Sequence, residues 1–374
     1  MSLRLLQVNK AYFPHIGGVE HVVAQLAEGL SARGRFEVRV LACAERGTGS
    51  SEVINGVLVE KAATLAWVMS MPVSTDFMRR FRRNAGDCDL ILLHHPFPLG
   101  FLAAQLSQNK KPISVWYHAD VVRQRMAGRL LTPLWHAVLG RAKRIFVSDR
   151  QLAERSKVLS RYRSKCVAVP FGIDLRRFED TPEVRSAASE IRRRYGTPLV
   201  LSVGRFVYYK GFEYLIEAMR YVDAKLLLVG SGPLEARLRA LAAAHGVDDK
   251  VHIIDSVRWL TPYYHACDIF VLPSVERAES FGLVQLEAMA CGKPVINTWL
   301  PTAVPTVSLN NVTGLTVAPR SSVGLAEAIN RLLGDEALRA RLGANALQRA
   351  AEHYSLERFI AAVERELSAA CSSS

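Results

Sequence analysis

Two pairs of ionisable residues have the types and spacing to do chemistry, the acids Glu279 and Glu287 and the cations Arg205 and Lys210. Were the segment between the two acids wholly helical, a rise of about 1.5 Å per residue would set their Cα atoms about 12 Å apart. Carboxylate pairs that cleave a glycosidic bond stand roughly 5 to 10 Å apart around one sugar ring. The spacing therefore suits two acids that hold different parts of one elongated ligand. It suits equally a first-turn acid favoured by the helix dipole and a later acid that is simply solvated. Arg205 and Lys210 lie in Gly204-Arg205-Phe206-Val207-Tyr208-Tyr209-Lys210-Gly211, directly after an apolar run over 199–203. Two cations at the carboxyl end of a strand, before a helix opened by Gly211, match a diphosphate, because Arg grips two oxygens at once and Lys supplies a compact charge. Solvent exposure in a surface loop is the commoner fate of such residues. His118 opens His118-Ala119-Asp120 after another apolar run, 113–117, and a lone histidine there is more often structural. His94 and His95 are adjacent, not at metal-ligand spacing, and read as loop packing.

The elements that must position these residues can be read from hydrophobic period. Around the acids, a buried β run over 268–272 feeds a polar loop, Leu283, Leu286, Met289 and Ala290 recur at helical spacing, and Gly292 and Pro294 stop the helix. In open α/β sheets ligands sit beyond the carboxyl ends of strands, where helix N-termini present free N–H groups. Glu279 and the amides near Phe281 to Leu283 occupy such a place, so a ligand is expected there. At the other end of the chain a strand over 3–8 leads to Gly17-Gly18 and a helix carrying Val19, Val22, Val23, Leu26 and Leu30 on one face, ended by Gly34. Strand, glycine turn and helix can cradle a phosphate, although two glycines before a helix as often make only a tight turn. Strands at 36–43, 57–59, 89–93, 113–117, 145–148 and 167–169 continue the first half, and those at 199–203, 225–229 and 251–254 open the second. Strand alternates with helix throughout, which predicts a doubly wound parallel sheet in each half.

A chain of 374 residues with 49% hydrophobic content can fill two cores. No stretch of about 18 uncharged apolar residues occurs, and residues 1–8 read as a strand, not a signal peptide, so a cytoplasmic protein is expected. The six cysteines include no Cys-x-x-Cys pair, which suggests neither zinc nor a disulfide framework. The formal charge of +13 is unevenly placed: residues 1–178 hold 27 Lys and Arg against 13 Asp and Glu, and residues 179–374 hold 21 against 22. One half thus faces an anionic partner. Phe77, Met78 and Phe81 beside Arg79, Arg80, Arg82 and Arg83 have the composition of a helix lying in an anionic membrane interface, with aromatics turned into the core as the alternative. A nucleic-acid partner is disfavoured, since the basic residues are dispersed and no recognition module is present.

The run Glu279-Ser280-Phe281-Gly282-Leu283-Val284-Gln285-Leu286-Glu287-Ala288-Met289-Ala290-Cys291-Gly292-Lys293-Pro294-Val295 resembles the donor-site signature of the retaining nucleotide-sugar glycosyltransferases of family 4. Gly204 to Gly211, His118-Ala119-Asp120, Pro14 to Glu20 and Pro170-Phe171-Gly172-Ile173-Asp174 match further segments of that family, with Phe171 in place of its usual Asn. The resemblance implies a GT-B architecture, two Rossmann-like domains facing across a cleft, over 1–178 (acceptor) and 179–353 (donor), with 354–374 returning to the first domain and ending in a disordered tail. It implies that Glu279 and His118 approach the transferred sugar, that Glu287 takes the ribose, and that Arg205 and Lys210 neutralise the leaving diphosphate. Gly17, Gly18, Asp120, Gly204, Gly230, Ser280, Phe281, Gly282 and Leu283 would line the donor. No cofactor and no obligatory metal are implied. The partners would be a nucleotide-sugar donor, GDP-mannose as first choice, and a saccharide or lipid-linked acceptor at the inner face of the cell membrane. Leu300-Pro301-Thr302-Ala303-Val304-Pro305 departs from the family's paired glycines, which puts donor identity in question. A nucleotide-sugar epimerase or sugar phosphate synthase of the same fold is the rival reading.

Overall fold

A computed structural model describes residues 2–13, 17–68, 71–107, 110–120 and 125–372. Pro14 of the first motif, Met1 of the first strand segment, and Ser373 and Ser374 of the expected tail lie outside the described residues. The chain forms two compact units, Met1–Phe171 with Leu356–Ser374, and Gly172–Ser355.

In the first unit, β1 (Leu3–Val8), α1 (Gly18–Ala32), β2 (Phe36–Cys43), β3 (Ser50–Ile54), β4 (Val57–Ala62), the small hairpin β5 (Ala66–Val68) and β6 (Met71–Val73), and α2 (Thr75–Asp87) come first. They are followed by β7 (Leu90–His95), α3 (Pro98–Leu106), β8 (Ile113–Tyr117), α4 (Arg125–Arg141), β9 (Arg144–Val147), α5 (Arg150–Arg155) and β10 (Cys166–Ala168). The sheet order is β10-β9-β8-β7-β1-β2-β4-β3, parallel except for β3. The chain builds outward from β1 to one side, then restarts at β7 and builds to the other, so β1 and β7 border the switch point where such sheets open a crevice. Helices on both faces explain why β7 and β8 are buried at every residue and carry no polar alternation.

The second unit contains α6 (Pro182–Tyr195), β11 (Leu199–Val203), α7 (Phe212–Ala218), β12 (Lys225–Val229), α8 (Glu235–Ala244), β13 (Val251–Ile254), α9 (Thr261–Ala266) and β14 (Ile269–Val271). It continues with α10 (Leu283–Ala290), β15 (Val295–Thr298), α11 (Val304–Val307), β16 (Gly314–Val317), α12 (Ser322–Gly334) and α13 (Glu336–His353). Its parallel sheet runs β13-β12-β11-β14-β15-β16, with the switch point between β11 and β14. Leu226, Leu228, Ile269, Val271 and Ile296 from the strands meet Leu215, Ile216, Ile329 and Leu332 from the helices in one core.

The last helix, α14 (Leu356–Ser372), belongs to the first unit. It rests on α1, where Gly29 leaves room for Ile360: a Cβ at that position would sit 2.6 Å from the isoleucine side chain. Arg33 to Glu364 at 2.9 Å and Arg144 to Glu366 at 3.3 Å flank the contact. The chain thus returns to its first domain, as expected from the resemblance. No helix among the described residues is long and apolar enough to cross a membrane.

Candidate functional site

The loops that leave β11 and β14 bracket the switch point of the second unit, and the predicted cations and first acid lie on them. Phe206 is fully buried, edge-on to Phe212 at 5.5 Å, and its amide donates to the Ser231 carbonyl at 2.9 Å. This anchor leaves Arg205 exposed while the chain turns back to bring Lys210 inside at 7% exposure. Gly211 follows in the left-handed region, φ 66°, against the Pro273 carbonyl, where any side chain would overlap that backbone. The Val275 amide donates to the Tyr209 carbonyl at 2.8 Å and joins the two loops. Lys210 Nζ then meets Glu279 Oε2 at 2.6 Å, and Ser274 Oγ donates to the same oxygen at 2.9 Å. Burial draws the Lys210 ammonium down, but Glu279 and Tyr209 together outweigh it and hold it above its ordinary value. The aliphatic stem of Lys210 passes over Gly204, where a Cβ would crowd it at 3.2 Å, and Gly230 abuts the Gly204 carbonyl.

Beyond Glu279 the chain enters α10 through Gly282, also left-handed at φ 73°, and no side chain caps the first turn. Phe281 is buried edge-on to Tyr354 at 6.1 Å, while Leu283 is only half-buried. The Ser280 carbonyl accepts from the Ala303 amide at 3.0 Å, and Thr298 Oγ1 donates to the Ser274 carbonyl at 2.6 Å, so the divergent loop is pinned to the acid loop. Glu287 accepts a 2.6 Å hydrogen bond from the hydroxyl of fully buried Tyr264. Burial raises the Glu287 carboxyl, and this bond opposes the rise. Ser274 and Tyr264, the partners of the two acids, are given no role in the sequence reading. Ser274 stood in view, five residues before Glu279, whereas Tyr264 comes from α9 and only the fold brings it near.

The remaining predicted residues belong to the first unit. Gly17 and Gly18 open α1, with Gly17 extended as its cap, and the Glu20 carboxylate folds back over Gly17. Asp120 Oδ1 accepts from Tyr117 at 2.8 Å and from Ser156 at 2.6 Å, which ties it into the unit. His118 is 4% exposed, beside both Trp116 and Phe171 with ring centroids 6.1 and 5.9 Å away. Its Nε2 lies 2.8 Å from His94 Nδ1, and His94 Nε2 lies 3.1 Å from Gln7 Nε2. The reading of His94 and His95 as loop packing is corrected here: both end β7, both are 1% exposed, and His94 bonds His118. Burial lowers His94 and His95 to about 3 and His118 well below its ordinary value, so all three stay neutral near pH 7.

The interfacial face on α2 is overturned. Phe77 and Phe81 are fully buried, Phe77 edge-on to Phe97 at 5.2 Å, in a core with Leu6, Leu41 and Ile91. Ser74 caps the helix, and the aromatic stripe continues through Ala85, which gives the core a full face. Arg80 is held between Asp76 at 2.7 Å and Glu60 at 3.4 Å, Arg83 pairs with Glu60, and Arg79 pairs with Asp76 at 2.7 Å. Asp76 is lowered to about 2: burial raises it, and the Ala63 amide with Arg79 and Arg80 more than reverses that. What α2 shows to solvent is a shallow groove of Thr75, Met78, Arg79, Arg82 and Arg83, with no aromatic to insert.

Comparison with known proteins accounts for both units. Residues 185–349 match the family described as Glycosyl transferases group 1, and residues 16–177 match Glycosyltransferase Family 4. The chain is 29% identical over 368 residues to the O-antigen chain mannosyltransferase C of Escherichia coli, covering 96% of each. It is 30% identical over 351 residues to the D-rhamnosyltransferase WbpZ of Pseudomonas aeruginosa, covering 92% of this chain and 90% of that one. Among solved structures, HepE of Anabaena in complex with UDP superposes with a TM-score of 0.82 at 18% identity, over 98% of this chain and all of that one.

Proposed function

Because this chain belongs to the glycosyltransferases, family 4 in its first unit and group 1 in its second, we propose that it moves a hexose, with retention of configuration, from a nucleotide-diphosphate sugar to a saccharide or lipid-linked glycan. The observation that carries this reading is the Lys210–Glu279 pair at the switch point of the second sheet, with Arg205 exposed on the same loop. A buried ammonium and a nearby guanidinium offer a diphosphate the positive charge it needs as it leaves. Ser274 and Lys210 share Glu279 Oε2, so Oε1 is the oxygen assigned to a sugar hydroxyl. Glu287, oriented by Tyr264, is assigned to the ribose, and the backbone around Ser280 to Leu283, where α10 begins, to the sugar and phosphate. Gly204 and Gly230 give the backbone close to the diphosphate. Gly17, Gly18, Asp120 and His118 of the first unit are likewise assigned to the donor.

In the reaction, the sugar–phosphate bond breaks toward an oxocarbenium-like state, and the electron pair stays with the diphosphate. The acceptor hydroxyl attacks the face that the diphosphate leaves, and the leaving phosphate oxygen takes the acceptor's proton. GDP-mannose is our choice of donor, supported by the likeness to the mannosyltransferase named above. A screen of GDP-, UDP-, dTDP- and ADP-sugars for hydrolysis without acceptor, with NMR of the anomeric configuration in the transfer product, tests the reading. GDP-mannose turnover with an α product is expected. An inverted product would overturn retention, and interconversion of sugars without acceptor would favour an epimerase. Arg205→Ala should lower turnover about a hundredfold, as one charge-assisted contact of roughly 3 kcal/mol does. Turnover should persist in chelator, since Arg205 and Lys210 supply the countercharge.

A further inference from the structure

The geometry points to a role for two residues that no motif singles out: we propose that Gln7 and His94 set the tautomer of His118, so that it offers the transferred sugar an Nδ1–H donor. The role at the sugar rests on the reading of His118 given above. The tautomer itself does not.

A backbone carbonyl can only accept a hydrogen bond. The Val23 carbonyl lies 3.0 Å from one terminal atom of the Gln7 amide, so that atom is the nitrogen Nε2. The reverse orientation would set two carbonyl oxygens against each other. Nε2 carries two hydrogens, one spent on Val23, and the other faces His94 Nε2 at 3.1 Å. His94 Nε2 must therefore be bare. A neutral imidazole has one N–H, so His94 carries its proton on Nδ1, which lies 2.8 Å from His118 Nε2 and donates to it. His118 Nε2 is then an acceptor, and its own proton is on Nδ1.

The surroundings keep this order. Gln7, His94 and His118 are 0%, 1% and 4% exposed, so water does not compete for their hydrogen bonds. Burial disfavours the imidazolium forms of both histidines, which would otherwise carry a proton on each nitrogen and erase the asymmetry. The two rings lie 17° from parallel with centroids 5.1 Å apart, and with nitrogens at 2.8 Å they meet edge to edge, as an N–H···N bond requires. Trp116, near-parallel to both rings, flanks them at 6.2 and 6.1 Å. A histidine so fixed recognises an oxygen that accepts, such as a sugar hydroxyl, in a way a freely exchanging tautomer does not.

Two-bond 1H–15N correlation NMR of the ligand-free protein, labelled at the imidazole nitrogens, reads the tautomers directly, with the His118 signals assigned by their loss in His118→Ala. Between pH 6.5 and 8, His118 should show a protonated Nδ1 and a bare Nε2. A protonated Nε2, or averaged signals, would overturn the proposal without reference to activity. Gln7→Leu and His94→Phe should each release the lock and give averaged His118 signals, and unchanged signals in both folded variants would also overturn it. The same two variants should lose about tenfold in kcat with donor KM within about twofold, the pattern of an interaction strengthened in the transition state. Should the tautomer respond while kcat holds, the lock stands and the placement of His118 at the sugar is what fails.

Discussion

Lys210 and Glu279 hold each other with side chains 9% and 10% exposed, so neither can be changed as a surface residue. The sequence reading treats the Arg205–Lys210 loop as surface, and that holds for Arg205 alone. Lys210→Met would strand a buried carboxylate and should cost about 3 to 5 kcal/mol of stability. Glu279→Gln should cost a similar amount, and the double variant much less than their sum. Urea denaturation of the four proteins measures this, and strict additivity would show that the pair is not coupled. Motif spacing made both cations legible, but which one turns inward depends on Phe206, whose burial is decided by strands and helices far along the chain. The buried histidines give a pH prediction of definite sign. Their unfolded pKa is about 6.5, and the fold depresses His94 and His95 to about 3. Above pH 6.5 both are neutral in either state and their stabilisation is complete. As pH falls from there, the unfolded chain gains protons that the folded chain refuses. Each histidine then removes about half of 1.4 kcal/mol per pH unit near pH 6.5 and the whole of it further down, so roughly 3 kcal/mol should be lost between pH 6.5 and 5. An unfolding midpoint that stays level over this interval would contradict their burial in neutral form.

Helix α2 shows how one pattern can serve two elements. Phe77 and Phe81, four residues apart and flanked by arginines, fit a membrane-surface helix and a core-facing helix equally well, because both need only an amphipathic stripe. The difference lies in what covers the stripe, and here Phe97 and the strand residues of the first sheet cover it. Phe77→Ala and Phe81→Ala should therefore each destabilise the protein by about 3 to 5 kcal/mol. Arg82→Gln, on the exposed face, should change stability by no more than about 0.5 kcal/mol. Thermal unfolding distinguishes these, and a silent Phe77→Ala would return the aromatics to the surface. Most helices and central strands were legible from period and from their Gly and Pro stops, including α1, α10 and β11. Among the strands, those not anticipated, β3 and the β5–β6 hairpin, are short and largely exposed, so they carry no run of apolar residues to announce them. Tyr264, set against Glu287 from a separate helix, was hidden for a different reason, since its partner is 23 positions away.

At the scale of the molecule, strand and helix alternation foretold two parallel sheets, while the switch points that gather the site residues emerge only from strand order. The return of α14 to the first unit, onto α1 and β9, is a contact of high sequence separation, and Phe359, Ile360, Val363 and Leu367 on this helix are buried. A chain cut after Ser355 should lose stability in the first unit while the second keeps its unfolding transition, as calorimetry with two resolved transitions would report. An unchanged first transition would mean that α14 adds nothing to that unit. The same arrangement has a consequence for biosynthesis. As the chain leaves the ribosome, the first unit emerges with the α14-facing surface of α1 bare, and residues 172–355 must all be translated before the covering helix appears. At about 5 to 20 residues per second that interval is on the order of ten to forty seconds. The unit that is made first is completed last, and its nascent form is the state that holdase chaperones would meet.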